Sequence, residues 1–487
     1  MSDADFSCDL SSAATPFPHF WERVVGSDHA PMALRADWQQ QLRRCHEELG
    51  FRYVRFHGLL CDEMGTLICH KDELLYSFFN IDQAFDYLVD IGMKPFVELS
   101  FMPWTFASGE ATVFRYQGRV SPPKDYGAWA TLIRKLAEHW VGRYGVAEVR
   151  SWFFEVWNEP NLQAFWSGTQ DDYFKLYRHS VEALKGVDGA LQVGGPASAR
   201  NQWVGELVAF CDKNGLPLDF VSTHQYPTDV VEGTSLGDED DATEEHLAKS
   251  RRGIMREWAE DVHRLAKGRP VYYTEWNTSS NPRDPLHDQP YAAAFDVKTV
   301  MEASGLVEAY SFWTFTDIFA ENYFPSVPFH GGFGLLNLHG IAKPSYRAFE
   351  LLHHLGTEQL PVRGRHETVD AWAIRDGRHL TVLMTNHTLP GKAITVEQMR
   401  IHLKNTGKPL AAAIQRIDDD HANARKLWCE MGEPTYPTAA ELERLGEVSN
   451  LVTEPQPWTT EAGAISINVE LPPHAVAAVT MEFAPAD

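Results

Sequence analysis

The strongest constraint on this chain is an alternation. Apolar runs of strand length fall near residues 20–26, 51–57, 94–101, 152–157, 192–195, 220–224, 270–275 and 309–315, and stretches with helical periodicity separate them. In the stretch 34–49, Leu42, Cys45 and Leu49 share one helical face, and further helices are predicted near 80–91, 126–143 and 170–185. Strands joined by helices run parallel, and eight such units over about 330 residues suit a closed (β/α)8 barrel of the α/β class. A doubly wound open sheet is the structural alternative. It should carry a glycine-rich phosphate turn after its first strand, which Val24-Val25-Gly26-Ser27-Asp28 does not supply.

One hydrophobic core stops growing near roughly 250–300 residues, so a chain of 487 needs a second home for its surplus. Disorder is not that home, because 44% hydrophobic and 12% aromatic content is ample material for packed cores. After Leu355 the texture changes. Residues 368–374, 379–385 and 464–471 read as strands separated by turn residues, and helical periodicity is mostly gone. The expected division is a barrel over 15–355 and an accessory antiparallel β-sandwich over 356–487, with 1–14 as a candidate addition to the sandwich.

A net charge of −24 repels phosphate backbones and anionic lipid, which argues against nucleic-acid and membrane partners. The acidic run 238–241, with Glu244 and Glu245, reads as a solvated loop and helix start rather than a cation site. The cysteines at 8, 45, 61, 69, 211 and 429 form no metal-binding or disulfide spacing, so reduced, mostly buried thiols are expected. The N-terminal residues lack the basic and apolar regions of a signal peptide, and no apolar run approaches membrane-spanning length. The location expected is cytoplasmic, with periplasmic or secreted placement left open. A monomer is the favoured oligomeric state.

In a parallel barrel the reactive site forms where strands end. The fourth run ends in Trp157-Asn158-Glu159-Pro160 and the seventh in Thr274-Glu275-Trp276-Asn277. Two glutamates therefore stand on strands three apart and can face each other across the mouth. Glycoside cleavage needs such a pair: one acid to protonate the leaving oxygen and one carboxylate to attack or to activate water. The bland alternative is an ion-paired structural glutamate at each strand end. Glu155, lower in the fourth strand, is expected as a buried carboxylate paired with an arginine such as Arg55.

These motifs resemble those of glycoside hydrolase family 39, in its β-xylosidase branch. Trp157-Asn158-Glu159-Pro160 is similar to the acid/base signature of the wider barrel clan, and Tyr273-Thr274-Glu275-Trp276-Asn277-Thr278-Ser279 to the nucleophile segment of the family. Tyr53-Val54-Arg55-Phe56-His57-Gly58 and Thr223-His224-Gln225-Tyr226-Pro227 add to the likeness. The resemblance implies Glu159 as acid/base, Glu275 as nucleophile and Asn158 as ligand of the sugar 2-hydroxyl. It also implies that Tyr226, beside His224, donates to the nucleophile, that His57 binds a sugar hydroxyl and that Trp313 forms the aromatic floor.

On the long loop after the eighth strand, Glu321 is a candidate for the outer hydroxyls of a terminal sugar, while Asn322 stands where relatives carry a second acid. Phe101, Trp104, Phe165 and Trp166 are candidate pocket walls. Core histidines, barrel-core tryptophan and scattered surface aromatics are the structural alternatives. The activity implied is a retaining exo-glycosidase that releases xylose from xylo-oligosaccharides without metal or organic cofactor, with a secondary α-L-arabinosidase activity. The rivals are α-L-iduronidase, another glycosidase of the clan, and a non-catalytic carbohydrate-binding barrel. An iduronide carries a carboxylate and calls for basic residues around the nucleophile, where Glu275–Ser280 offers none.

Overall fold

The computed structural model describes residues 5–71, 73–231, 242–322, 324–461 and 464–485. The acidic run 238–241 lies outside them. The eight expected strands form a closed parallel barrel in chain order: β1 (Val24–His29), β2 (Tyr53–His57), β3 (Lys94–Glu98), β4 (Phe153–Glu155), β5 (Gln192–Ala199), β6 (Phe220–Gln225), β7 (Val271–Trp276) and β8 (Ala309–Phe312). Closure is made by β8 on β1, through Phe312 opposite Val25. Their runs are apolar throughout because helices cover the outer face and side chains fill the inner one.

A helix follows each strand: α1 (Ala36–Leu49), α2 (Phe79–Asp90), α3 (Tyr126–Tyr144), α4 (Gln170–Val187), α5 (Val204–Asn214), α6 (Ile254–Leu265), α7 (Pro290–Ala303) and α8 (Pro344–His353). Trp38, Leu42, Cys45 and Leu49 are the buried stripe of α1. A capping box between Thr169 and Asp172 starts α4. No helix among the described residues is long and apolar enough to cross a membrane. Cys8, Cys45, Cys61 and Cys211 are buried and the cysteines are free.

Two boundaries differ from expectation. Phe20–Glu22 is a 3-10 turn whose Phe20 and Trp21 are buried, and the first strand starts only at Val24. Strands β3, β4 and β8 end three, two and three residues early, because the chain there leaves the ladder to form the mouth. Trp157 and Glu159 have φ of 74° and 44°, which strand pairing cannot accommodate.

The barrel interior is layered. Tyr53, Phe96, Phe153, Phe220 and Tyr272 fill the base, with Phe220 and Tyr272 stacked at 4.9 Å. Gly194 is required here, since a Cβ would come within 2.4 Å of Phe220. Two residues further along the same strands, with the same inward parity, stand Arg55, Glu98 and Glu155. The apolar base thus carries a charged layer just below the mouth.

The remaining chain forms a sandwich. A seven-stranded sheet has the order Thr15–Pro16, Glu358–Leu360, Val369–Asp376, His379–Asn386, Val476–Phe483, Pro409–Ile417, Glu454–Pro455. Over it lies a five-stranded sheet in which Asp5–Asp9 pairs in parallel with Glu397–Lys404 and the other pairs are antiparallel. The loss of helical character expected after Leu355 is incomplete. Two helices, Ala424–Glu430 and Ala439–Val448, pack against Phe329 and Ile341 of the loop that follows β8, with Phe329 and Trp428 at 5.6 Å. Thr438 and Glu441 form a capping box on the second of them.

Candidate active site

A single guanidinium organises the floor of the mouth. Arg55, wholly enclosed, reaches Glu155 through Nε at 2.6 Å, Glu275 through Nη1 at 2.7 Å, and Glu98 through Nη2 at 2.6 Å. Nη2 also donates to Asn158 Oδ1 at 2.9 Å. The expected Glu155–Arg55 pair is present, and Thr274 Oγ1 donates to the other oxygen of Glu155 at 2.8 Å. Burial pushes the Glu98 carboxyl up, but Arg55 and His57 outweigh it and hold it below its usual range. For Glu155 burial prevails over Arg55 and the shift is upward.

Glu159 and Glu275 face each other across this floor. One carboxylate oxygen of each and a ring nitrogen of His224 lie within 4.8 Å of one another. Their settings are opposite in kind. Glu275 accepts from Arg55 on Oε1 and from the Tyr226 hydroxyl on Oε2 at 3.0 Å, which fits a carboxylate. Glu159 Oε1 instead faces the ring of His224, 3.0 Å from Nδ1. Burial first, then the charge of Glu275, raises the Glu159 pKa well above that of an ordinary glutamate.

His224 lies between the floor and Glu159. Its pKa is driven well below the usual value by burial and by Arg55, so the ring is neutral and has one N–H. Arg55 Nη2 pairs with Glu98, donates to Asn158 and lies 3.4 Å from His224 Nε2, and the hydroxyl hydrogen of Thr274 goes to Glu155. His224 Nε2 also lies 3.1 Å from Thr274 Oγ1. Its Nδ1 lies 3.0 Å from Glu159 Oε1, where one hydrogen is shared between the acid and the neutral ring.

The other expected residues divide into two groups. His57 donates through Nδ1 to Glu98 at 2.8 Å and turns Nε2 toward Glu275 and Glu321, 3.5 Å from each. Trp313 is buried beside His57 with ring centroids 4.8 Å apart, and Gly26 makes room for it, since a Cβ there would lie 2.5 Å from its ring. Among the described residues, Asn158 Nδ2 and Glu321 Oε1 are buried polar atoms without a hydrogen-bond partner. They fit sugar hydroxyls as donor and acceptor. Burial, then the charge of Asp28, raises the Glu321 pKa well above its usual range.

Phe165 and Trp104 stand further out. Phe165 backs the wall formed by Phe101 and Phe114, and its carbonyl accepts from Trp157 Nε1 at 2.8 Å. Trp104 is 59% exposed at the rim with Arg119 stacked 3.9 Å from its ring centre. Sequence reasoning missed Glu98, Phe114 and Tyr116. Tyr116 stacks on His29 at 4.0 Å behind the pocket. Glu98 had a signal: a lone acid ending an apolar strand, as in Glu155.

An eight-stranded parallel barrel that holds two carboxylates face to face at the ends of β4 and β7 is the architecture of a barrel glycoside hydrolase. The model for "Glycosyl hydrolases family 39" matches residues 6–465, and the chain belongs to that family. It is 48% identical over 469 residues to a beta-xylosidase of Caldicellulosiruptor saccharolyticus, covering 95% of each chain. A beta-xylosidase of Geobacillus stearothermophilus is 34% identical, covering 97% of this chain and 94% of the relative. The structure of a monomeric beta-xylosidase from Caulobacter crescentus CB15 superposes with a TM-score of 0.85 at 33% identity, covering 99% of this chain and 100% of that one. This protein is therefore a family 39 glycoside hydrolase.

Proposed function

We propose that the enzyme is a retaining exo-β-xylosidase acting on short xylo-oligosaccharides. The observation that carries this reading is the close approach of Glu159 and Glu275 in opposite settings, one suited to holding a proton and the other to a carboxylate. Retaining enzymes need such carboxyls roughly 5–5.5 Å apart, whereas inverting ones leave room for a water. Glu275 attacks the anomeric carbon while Glu159 gives its proton to the departing glycosidic oxygen, so that the C–O bond breaks with its electron pair on the leaving group. In the second half, Glu159, now a carboxylate, takes a proton from water as the water oxygen displaces Glu275.

Xylose as the sugar is supported by two relatives named beta-xylosidase. The pocket agrees chemically. His57 and Asn158 serve hydroxyls, Trp313 stacks under the ring, and Glu321 closes the end where a chain would otherwise continue. An acidic sugar would meet Glu321 and Glu98, while Arg55 is already shared among three carboxylates. α-L-Arabinopyranosides differ from β-xylosides at one ring hydroxyl and are expected as slower substrates. The test is a screen of aryl β-D-xyloside, α-L-arabinoside, β-D-glucoside and α-L-iduronide. Fastest turnover on the xyloside supports the reading, and no turnover on it overturns the assignment.

A further inference from the structure

At the end of the barrel away from the active site, three donor side chains converge from the two ends of the barrel sequence. His19 and Glu22 precede β1, and His353 closes α8. Glu22 Oε1 lies 2.6 Å from His19 Nδ1 and 2.8 Å from His353 Nδ1, and one donor atom from each residue lies within 4.8 Å of the others. The three side chains are 16%, 12% and 30% exposed, so the cluster is recessed but reachable from solvent.

Two further observations give this cluster the character of a ligand site. His19 Nε2 is 3.3 Å from the carbonyl oxygen of Gly356, while its Nδ1 faces Glu22. Both ring nitrogens therefore face acceptors, although a neutral imidazole has a single N–H. A cation at Nδ1, either a proton or a metal ion, removes the conflict, and a metal ion there leaves Nε2–H on the carbonyl, as is common for metal-binding histidines. Gly50, in the left-handed region at φ 75°, leaves the cradle open. A Cβ there would come within 2.7 Å of the His353 ring and 3.0 Å of the Glu22 carboxyl carbon. The His19 ring is held by stacking on Trp21 at 4.6 Å.

The geometry points to a divalent transition-metal site with two imidazole ligands and one carboxylate, suited to Zn²⁺ or Co²⁺, that joins the start of the barrel to its last helix. Zinc at ~2.0–2.2 Å from nitrogen and oxygen donors sets neighbouring donors ~3.4 Å apart, so the two histidine–Glu22 distances open by ~0.6–0.8 Å on binding. The proton at each Nδ1 is displaced by the metal and leaves to solvent. The site ties Gly356, where the chain passes toward the sandwich, to the base of the barrel. It takes no part in the chemistry at Glu159 and Glu275.

Chelator-treated full-length protein is titrated with zinc chloride by calorimetry and melted with and without one equivalent. The expected result is one zinc per chain, a higher Tm with zinc, and binding weakened by roughly tenfold or more in His19→Gln and in His353→Gln. Aryl xyloside hydrolysis by the metal-free wild type is expected to persist, which separates this site from the catalytic one. The proposal is overturned if the wild type binds no zinc. It is equally overturned if the His19→Gln/His353→Gln double variant binds as tightly, or if Glu159→Gln is the change that abolishes binding.

Discussion

Arg55 meets Glu275 from below, Nη1 to Oε1 at 2.7 Å, and it does so fully shielded from water. The same guanidinium holds Glu98 and Glu155, so one planar cation compensates three inward-facing acids. Only a fork of fixed N–H directions can serve all three at once; an ammonium is a point charge on a flexible stem. Arg55 thus links the stability of the barrel interior to the position of the proposed nucleophile.

Arg55→Lys is expected to lower kcat/KM on aryl xyloside by about 100-fold or more, because Glu275 loses its fixed partner. Unfolding in urea should show a loss of about 3–5 kcal/mol, the range for breaking a buried ion pair on one side. A variant with wild-type kcat/KM would contradict the positioning role.

The two glutamates are separable by azide. Glu159→Ala should keep attack on substrates with good leaving groups and be rescued by azide, giving a β-xylosyl azide, since azide enters where water would. Glu275→Ala should lose that attack, and azide should give the α-xylosyl product. Products of the reverse configuration would exchange the two roles.

Tyr226→Phe removes the hydrogen bond to Glu275 Oε2. A hydrogen bond to a charged group is worth about 1.5–3 kcal/mol, so kcat/KM should fall by about 10–100-fold with little change in Tm. Steady-state kinetics on the aryl xyloside decide it.

The barrel was legible because each strand is a continuous apolar run and each helix carries a periodic stripe, patterns that survive in one dimension. The proposed catalytic pair was legible because Glu159 and Glu275 end such runs. The Arg55 network was not, since it depends on register: Arg55 lies opposite Phe96, and Glu98 opposite Glu155, only once β2, β3 and β4 are paired. The helix Ala424–Glu430 was missed because its seven residues are too few to show a period. Helix α7 is buried on nearly every side, which removes the polar face that would have marked it.

Thr274→Val tests which ring nitrogen of His224 carries the hydrogen. Without the hydroxyl, Nε2 keeps only the Arg55 guanidinium, a donor, so the one N–H of the ring settles at Nδ1 and donates to Glu159. That donation favours the ionised acid, and the basic limb of the kcat/KM profile should move about 1 pH unit toward acid. A limb that stays in place would mean that the proton between His224 and Glu159 is held by the histidine in the wild type.

Glu159→Gln should reveal what the raised pKa of Glu159 costs the fold. Its pKa in the folded protein is well above the ordinary value because burial and Glu275 disfavour the charge, while in the unfolded chain it is about 4.3. Between those two values the folded state binds the extra proton. The contribution of Glu159 to stability is therefore complete below about pH 4 and is lost as pH rises through the folded pKa. A glutamine amide can donate to or accept from His224 Nδ1 and has no charge to bury, so the variant escapes that loss. Its Tm should match the wild type near pH 4 and exceed it increasingly toward pH 8, although the variant is catalytically impaired on xylobiose. Thermal melts across this range decide the matter, and a difference that does not depend on pH would show that Glu159 enters the folded state with its ordinary affinity for the proton.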